Sequence, residues 1–174
     1  MQAGFSLASI TPPLGTRMLG FGGRDRARGS QGVHDPLAVR ALFLQHGGER
    51  ALILGYDLCF FSREVADRYK GALGRLLDLT PRQILINFSH THCGPNTGMW
   101  AFSEYLPPDV HYLRDLEMAT LAAAQAAVDA MRPVELFAGE GRTTLPLSRR
   151  TVDASGYAQW LPAPDGPIYD RLPV

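Results

Sequence analysis

Residues 50–88 read RALILGYDLCFFSREVADRYKGALGRLLDLTPRQILINF, and this stretch decides the fold. Arg50 to Tyr56 is an apolar run of strand length. Ser62 stands where a helix N-cap belongs, and Val65, Tyr69, Leu73, Leu76 and Leu77 follow at helical spacing. Thr80-Pro81 closes that helix. Ile84 to Phe88 is almost continuously apolar, the pattern of a strand buried on both faces. Strand, helix and strand in that order predict a βαβ unit with parallel pairing.

The flanks extend the pattern. Leu37 to Gln45 is a strand joined to Arg50–Tyr56 by His46-Gly47-Gly48-Glu49, a connection short enough for a hairpin. Phe5 to Ile10 alternates as a short strand does, and Thr11-Pro12-Pro13 ends it. Pro107-Pro108-Asp109 opens a long helix running to Arg132-Pro133. Its apolar stripe is Val110, Leu113, Leu116, Leu121, Ala124, Val128 and Met131. Val134 to Ala138 reads as a last strand. The expected fold class is α/β: a mixed sheet with a βαβαβ core, paired in parallel over residues 50–138, flanked by helices and an N-terminal β-hairpin. After Gly139 come short, proline-broken pieces with little core of their own. No linker divides the chain, so 1–174 is expected to belong to one domain.

Lys+Arg and Asp+Glu each number 17, which leaves no net charge and none of the basic excess that nucleic acid or an anionic membrane attracts. With 45% apolar residues the chain is globular in composition. Two cysteines, Cys59 and Cys93, are too few for a disulfide scaffold. No apolar run reaches the ~18 residues of a membrane span, and the start lacks the charged and apolar regions of a signal peptide. A reducing, cytoplasmic setting is the default expectation. The glycine-rich loop from Leu14 to Val33 carries Arg24, Arg26 and Arg28, which either grip an anion or are simply solvated.

The segment with chemistry is Ser89-His90-Thr91-His92-Cys93-Gly94-Pro95, placed directly after a strand, where parallel α/β sheets bind ligands. Imidazole suits zinc. Both histidines reach one metal only if the backbone bends, and Gly94-Pro95 offers a bend just beyond them. The alternative is one histidine bonded in the core and one in solvent. Cys93 is a thiolate ligand, a nucleophile or a small buried hydrophobe. Asp57, at the end of the Arg50–Tyr56 strand, either orients a metal-bound histidine or caps the next helix. His34-Asp35-Pro36 is a turn, and His46 and His111 are exposed. A metallo-β-lactamase pattern would continue with Asp-His, and an amidohydrolase barrel would carry its paired histidines after the first strand. Neither matches.

Several stretches, in order, resemble the neutral/alkaline, non-lysosomal ceramidase family. They are Ala8-Ser9-Ile10-Thr11-Pro12-Pro13-Leu14-Gly15, Gly20-Phe21-Gly22-Gly23-Arg24, Gly32-Val33-His34-Asp35-Pro36-Leu37 and His90-Thr91-His92-Cys93-Gly94-Pro95. In the last, cysteine stands where the family has serine. Arg132-Pro133 and Gly139-Glu140-Gly141 also match. The resemblance implies hydrolysis of the amide of ceramide, an N-acyl lipid, to sphingosine and a fatty acid at a single zinc. It makes His90 a zinc ligand and puts His92 beside the metal, in contact with substrate or the reacting water. Arg149, in Leu147-Ser148-Arg149-Arg150, is the nearest match to an arginine that supports the substrate end, although both its neighbours differ.

The family's other ligands, a second His, a Glu and a Tyr, lie further along a longer chain. The chain is therefore expected to be the N-terminal portion of a ceramidase-like catalytic domain, or a short relative needing a partner chain. It should be inactive alone and bind zinc weakly, with Cys93 or Asp57 as the candidates to complete a site. The other functional reading is a non-catalytic α/β module lacking the complete zinc site.

Overall fold

In the computed structural model, residues 1–21, 23–25, 27–98 and 107–174 are described. The first strand, β1, is Gln2–Ser9, and β2 (Ala38–His46) and β3 (Glu49–Tyr56) form the hairpin, with Gly47 and Gly48 both at positive φ in its turn. Helix α1 (Arg63–Leu77) leads to β4 (Ile84–Phe88), and α2 (Val110–Asp129) leads to β5, which is only Arg132–Pro133. The sheet order is β4-β3-β2-β1-β5. The chain forms two compact units, Met1–Val134 and Glu135–Val174. The mixed α/β sheet with two helices is therefore present.

Its pairing differs from the expectation in one respect. Among the described residues only β3 and β4 pair in parallel, while β5 pairs antiparallel with β1 at the opposite edge. A 20-residue helix reaches ~30 Å, more than the ~19 Å that separates the outer strands of five. Helix α2 therefore carries the chain across the whole sheet instead of returning it beside β4. Val134 to Ala138 is not a strand. Strand β4 lies at an edge, so it is buried on one side only and Leu85 is exposed.

Both helices pack on one sheet face. Val65, Tyr69, Leu73 and Leu77 of α1 meet Leu52, Leu54 and Tyr56, while α2 contributes Tyr112, Leu116, Ala123, Ala124 and Ala127. The predicted α2 stripe meets the core at Leu113, Leu116, Leu121, Ala124, Val128 and Met131, and Ala123 and Ala127 join it. Val110 is exposed, as is Leu76 of α1. At Ala123 and Ala127 the approach to β1 is close. A Cβ added at Gly4 would overlap the Ala127 carbonyl oxygen, and Ser6 Oγ donates to the Ala123 carbonyl at 2.6 Å. Asp109 caps the helix, accepting from the His111 and Tyr112 amides. Tyr112 and Tyr69 then donate to the carbonyls of Ile10 and Leu113.

The other sheet face carries a row set by register, Phe5–Leu42–Ile53–Leu85. No described helix or strand of Met1–Val134 covers that row. In Glu135–Val174, β6 (Glu140–Arg142) pairs with β9 (Arg171–Pro173) and β7 (Thr151–Val152) with β8 (Ala158–Gln159). No described helix is long and apolar enough to cross a membrane.

Candidate metal centre

Because Tyr56 pairs with Phe88 in the parallel β3–β4 ladder, the residues after β3 and after β4 emerge side by side at the same end of the sheet. The Ser89 amide donates to the Tyr56 carbonyl at 2.9 Å, which continues the ladder one step past the strand. Tyr56, Phe61, Tyr69 and Phe88 form an aromatic cluster behind this end, with centroids 4.9–5.7 Å apart. It anchors both ends of the segment 57–61. Cys59 is thereby held against His90.

His90 sits at φ 58°, so the bend that turns its ring inward is at His90 itself and not at Gly94-Pro95. Its Nδ1 lies 3.0 Å from the Cys59 carbonyl oxygen, and Cys59 Sγ lies 3.6 Å from Nδ1 and 4.0 Å from Nε2. A carbonyl only accepts, so Nδ1 carries the proton and Nε2 keeps its lone pair. Metal-bound histidines take this same arrangement. The Cys59 thiol is buried, and burial pushes its pKa up.

His92 is in the opposite state. The Phe21 amide donates to its Nδ1 at 3.4 Å, so the neutral ring carries its proton on Nε2 and presents a donor there. The Phe21 ring meets the His92 ring edge-on at 5.3 Å, and His90 and His92 are 5.2 Å apart. This contact needs Gly20. Its φ is +89°, and a Cβ there would collide with the His92 side chain. The loop is docked by the Leu19 amide, which donates to Gly94 at 2.9 Å, and by a bridge between Met18 and Pro95.

Among the described residues, Cys59, His90 and His92 form the group able to hold a metal ion, with one donor atom of each within 4.8 Å of the others. Two sequence candidates fall outside it. Asp57 Oδ2 accepts from the Ala38 amide at 3.1 Å and from Arg40 Nη1 at 2.8 Å, so it ties β3 to β2 and neither caps α1 nor orients a histidine. Cys93 is exposed and lines a cavity of about 690 Å³ together with Thr91, Met18, Val33 and Leu37. Arg149 is exposed in Glu135–Val174, next to the bridge residue Ser148. Arg24 folds back onto the Leu19 carbonyl and the Phe21 ring, Arg28 bonds Gln31, and Arg26 lies outside the described residues. The residue missed in the sequence is Cys59. The signal for it was positional, because it trails β3 as His90 trails β4.

The site has the fit for zinc that a partial set gives. His90 Nε2 is a ready ligand, while the Cys59 thiol lies nearer Nδ1, and catalytic zinc takes three protein ligands and a water.

No family model matches the chain, and no curated protein matches it in sequence. Solved structures do. The crystal structure of neutral ceramidase from Pseudomonas aeruginosa superposes with a TM-score of 0.75 at 18% identity, over 90% of this chain and 30% of that one. The fold is shared with neutral ceramidase. A ceramidase complexed with C2 gives a TM-score of 0.71 at 18% identity, over 90% of this chain and 29% of its own. The chain thus spans under a third of the length of these ceramidases.

Proposed function

We propose that the chain is the N-terminal portion of a zinc-dependent amide hydrolase of the neutral ceramidase type, which cleaves N-acyl sphingosine or a related N-acyl lipid to an amine and a fatty acid. The observation that carries this is the division of labour between the two histidines on a ceramidase-like fold: His90 with Nε2 free, His92 with Nε2 protonated. In this reading His90 holds the metal, and the Cys59 carbonyl fixes its ring. When bound, zinc polarises an amide carbonyl and lowers the pKa of a water towards ~7. His92 donates its Nε2 proton in a hydrogen bond to the substrate carbonyl oxygen or the reacting water. The Phe21 amide and ring hold it there, so that little ordering remains when substrate arrives.

The cavity lined by Met18, Val33 and Leu37, with Arg24, Arg28 and Asp35 also on its wall, suits an acyl or alkyl chain with a polar end. The remaining zinc ligands come from the rest of the domain. The apolar row Phe5–Leu42–Ile53–Leu85, with Phe5 and Leu85 exposed, is a surface of the kind on which further structure packs.

The test is hydrolysis of a fluorescent N-acyl sphingosine, and then of simpler N-acyl amines, by the protein carrying its continued reading frame. His90→Ala should abolish metal-dependent activity. His92→Ala should lower turnover with far less metal loss, and Cys93→Ser should be nearly silent. Activity that survives His90→Ala but not Cys93→Ser would replace this reading with thiol chemistry.

A further inference from the structure

We infer that Arg24 is a positioning residue for His92 and acts through Phe21: it pins the turn that keeps the Phe21 amide on His92 Nδ1.

Phe21 is the point at which this loop needs holding. Its φ is 52°, in the left-handed region that a bulky side chain disfavours, and its ring is exposed. Left to itself, such a residue relaxes to negative φ, which swings its amide away from His92. That amide, 3.4 Å from Nδ1, is what leaves the His92 proton on Nε2.

Arg24 grips the turn at three points. Its amide donates to the Phe21 carbonyl at 3.0 Å, and its Nη1 donates to the Leu19 carbonyl at 3.0 Å. Its guanidinium carbon sits 5.1 Å from the Phe21 ring centroid, within cation–π range. Leu19 is fixed in turn, since it is buried and its amide donates to the Gly94 carbonyl at 2.9 Å. The contacts close a circuit. Gly94 holds Leu19, Leu19 holds Arg24, Arg24 holds Phe21, and Phe21 holds His92, two residues before Gly94. A guanidinium suits the junction, because one of its N–H groups bonds a carbonyl while the cation stays over the ring. Arg24 also lines the cavity of about 690 Å³, so the residue that steadies His92 is part of the cavity wall. The use of His92 in amide hydrolysis rests on the amidase reading above, but the hold on its ring does not.

The experiment is nitrogen-15 NMR of the histidine rings in the purified chain, at an alkaline pH where imidazole is neutral, with amide exchange read at Phe21. In the wild type, His92 should show a single Nε2–H tautomer, and the Phe21 amide should exchange more slowly than an unbonded loop amide. Arg24→Ala should quicken that exchange roughly tenfold and move the His92 ring nitrogens toward tautomer-averaged shifts. The His90 signals and the unfolding midpoint should stay in place, and Arg24→Lys should fall between. In a Phe21→Gly background, Arg24→Ala should change the His92 ring little further, because the residue it acts through is gone. A Phe21 amide that is unprotected in the wild type overturns the inference without any variant. So do His92 signals that ignore Arg24→Ala, a midpoint that falls with them, or an undiminished effect of Arg24→Ala in the Phe21→Gly background. In the protein carrying its continued reading frame, Arg24→Ala should lower kcat for N-acyl sphingosine with little change in KM. A raised KM alone would make Arg24 a substrate ligand and overturn the positioning role. The expected NMR changes in a protein without amidase activity would reject the amidase reading and leave this one standing.

Discussion

Met1–Val134 and Glu135–Val174 are held together by different forces. The first unit stacks Val39, Ala41, Phe43, Leu52, Leu54 and Tyr56 beneath two helices, and most of these are wholly out of solvent. In the second unit no residue is buried, and Leu145, Trp160 and Val174 are 90%, 77% and 81% exposed. Its cohesion comes from two- and three-residue strand pairs, the exposed ion pairs Arg142–Asp170 and Arg171–Glu140, and one carboxylate, Asp153. Burying a large apolar side chain stabilises by ~1.5–3 kcal/mol, whereas an exposed ion pair contributes ~0–1 kcal/mol. The first unit should therefore respond to changes of volume, and the second to changes of single polar atoms.

Leu54→Ala should show the largest effect. The side chain is fully buried in the central hairpin, and its loss should cost ~2–5 kcal/mol in denaturant unfolding, with the spread set by how far the helices collapse into the gap. A loss below 1 kcal/mol would mean that the packing beneath the helices is loose, and the contrast between the units would fail.

Tyr56→Phe should cost less, ~1 kcal/mol, because Thr120 Oγ1 keeps its own bond to the Leu116 carbonyl when the tyrosine hydroxyl is gone. Burial holds the Tyr56 phenol far above its ordinary range, so the protein should unfold in alkali before this group ionises. Absorbance at the phenolate wavelength should then rise together with loss of structure.

Asp153→Asn should act locally in the second unit. Asp153 accepts from the Ser155 hydroxyl, the Gln159 side chain and the Tyr157 and Ser155 amides, and these bonds pull its pKa down to about 2. The folded value lies below the unfolded one. The stabilisation is therefore complete above the ordinary carboxylate pKa of ~3.9 and is lost as pH falls through about 2. Amide exchange at Ser155 and Tyr157 should quicken over that window and in the variant at neutral pH, while the amides of β2 and β3 stay unchanged.

Trp160→Ser should have the smallest effect, within ~0.5 kcal/mol, since the ring is exposed with Arg150 over it. A cost of several kcal/mol would mean that the second unit has a core after all.

Much of the first unit was legible in the chain. The hairpin, α1, β4 and α2 follow from apolar period and from Gly, Pro and Asp at the breaks, because those signals are local. The weak core after Gly139 was legible too, in its proline-broken pieces. What was not legible depended on neighbours. The antiparallel place of β5 and the exposed side of β4 are set by strand order, and the burial of Ala123 and Ala127 on α2 goes with the close approach at Gly4. At the site, His90 and His92 stood out by their spacing. Cys59, far off in sequence, became visible only when the parallel ladder of β3 and β4 put it beside His90.

The sequence by itself determined the α/β class, the elements and the pair of histidines, since period, caps and turn residues act over a few positions. Tertiary structure alone decided which thiol those histidines meet and which proton each carries. A tautomer is fixed by the partner on its other nitrogen, and here those partners, the Cys59 carbonyl and the Phe21 amide, arrive from distant segments.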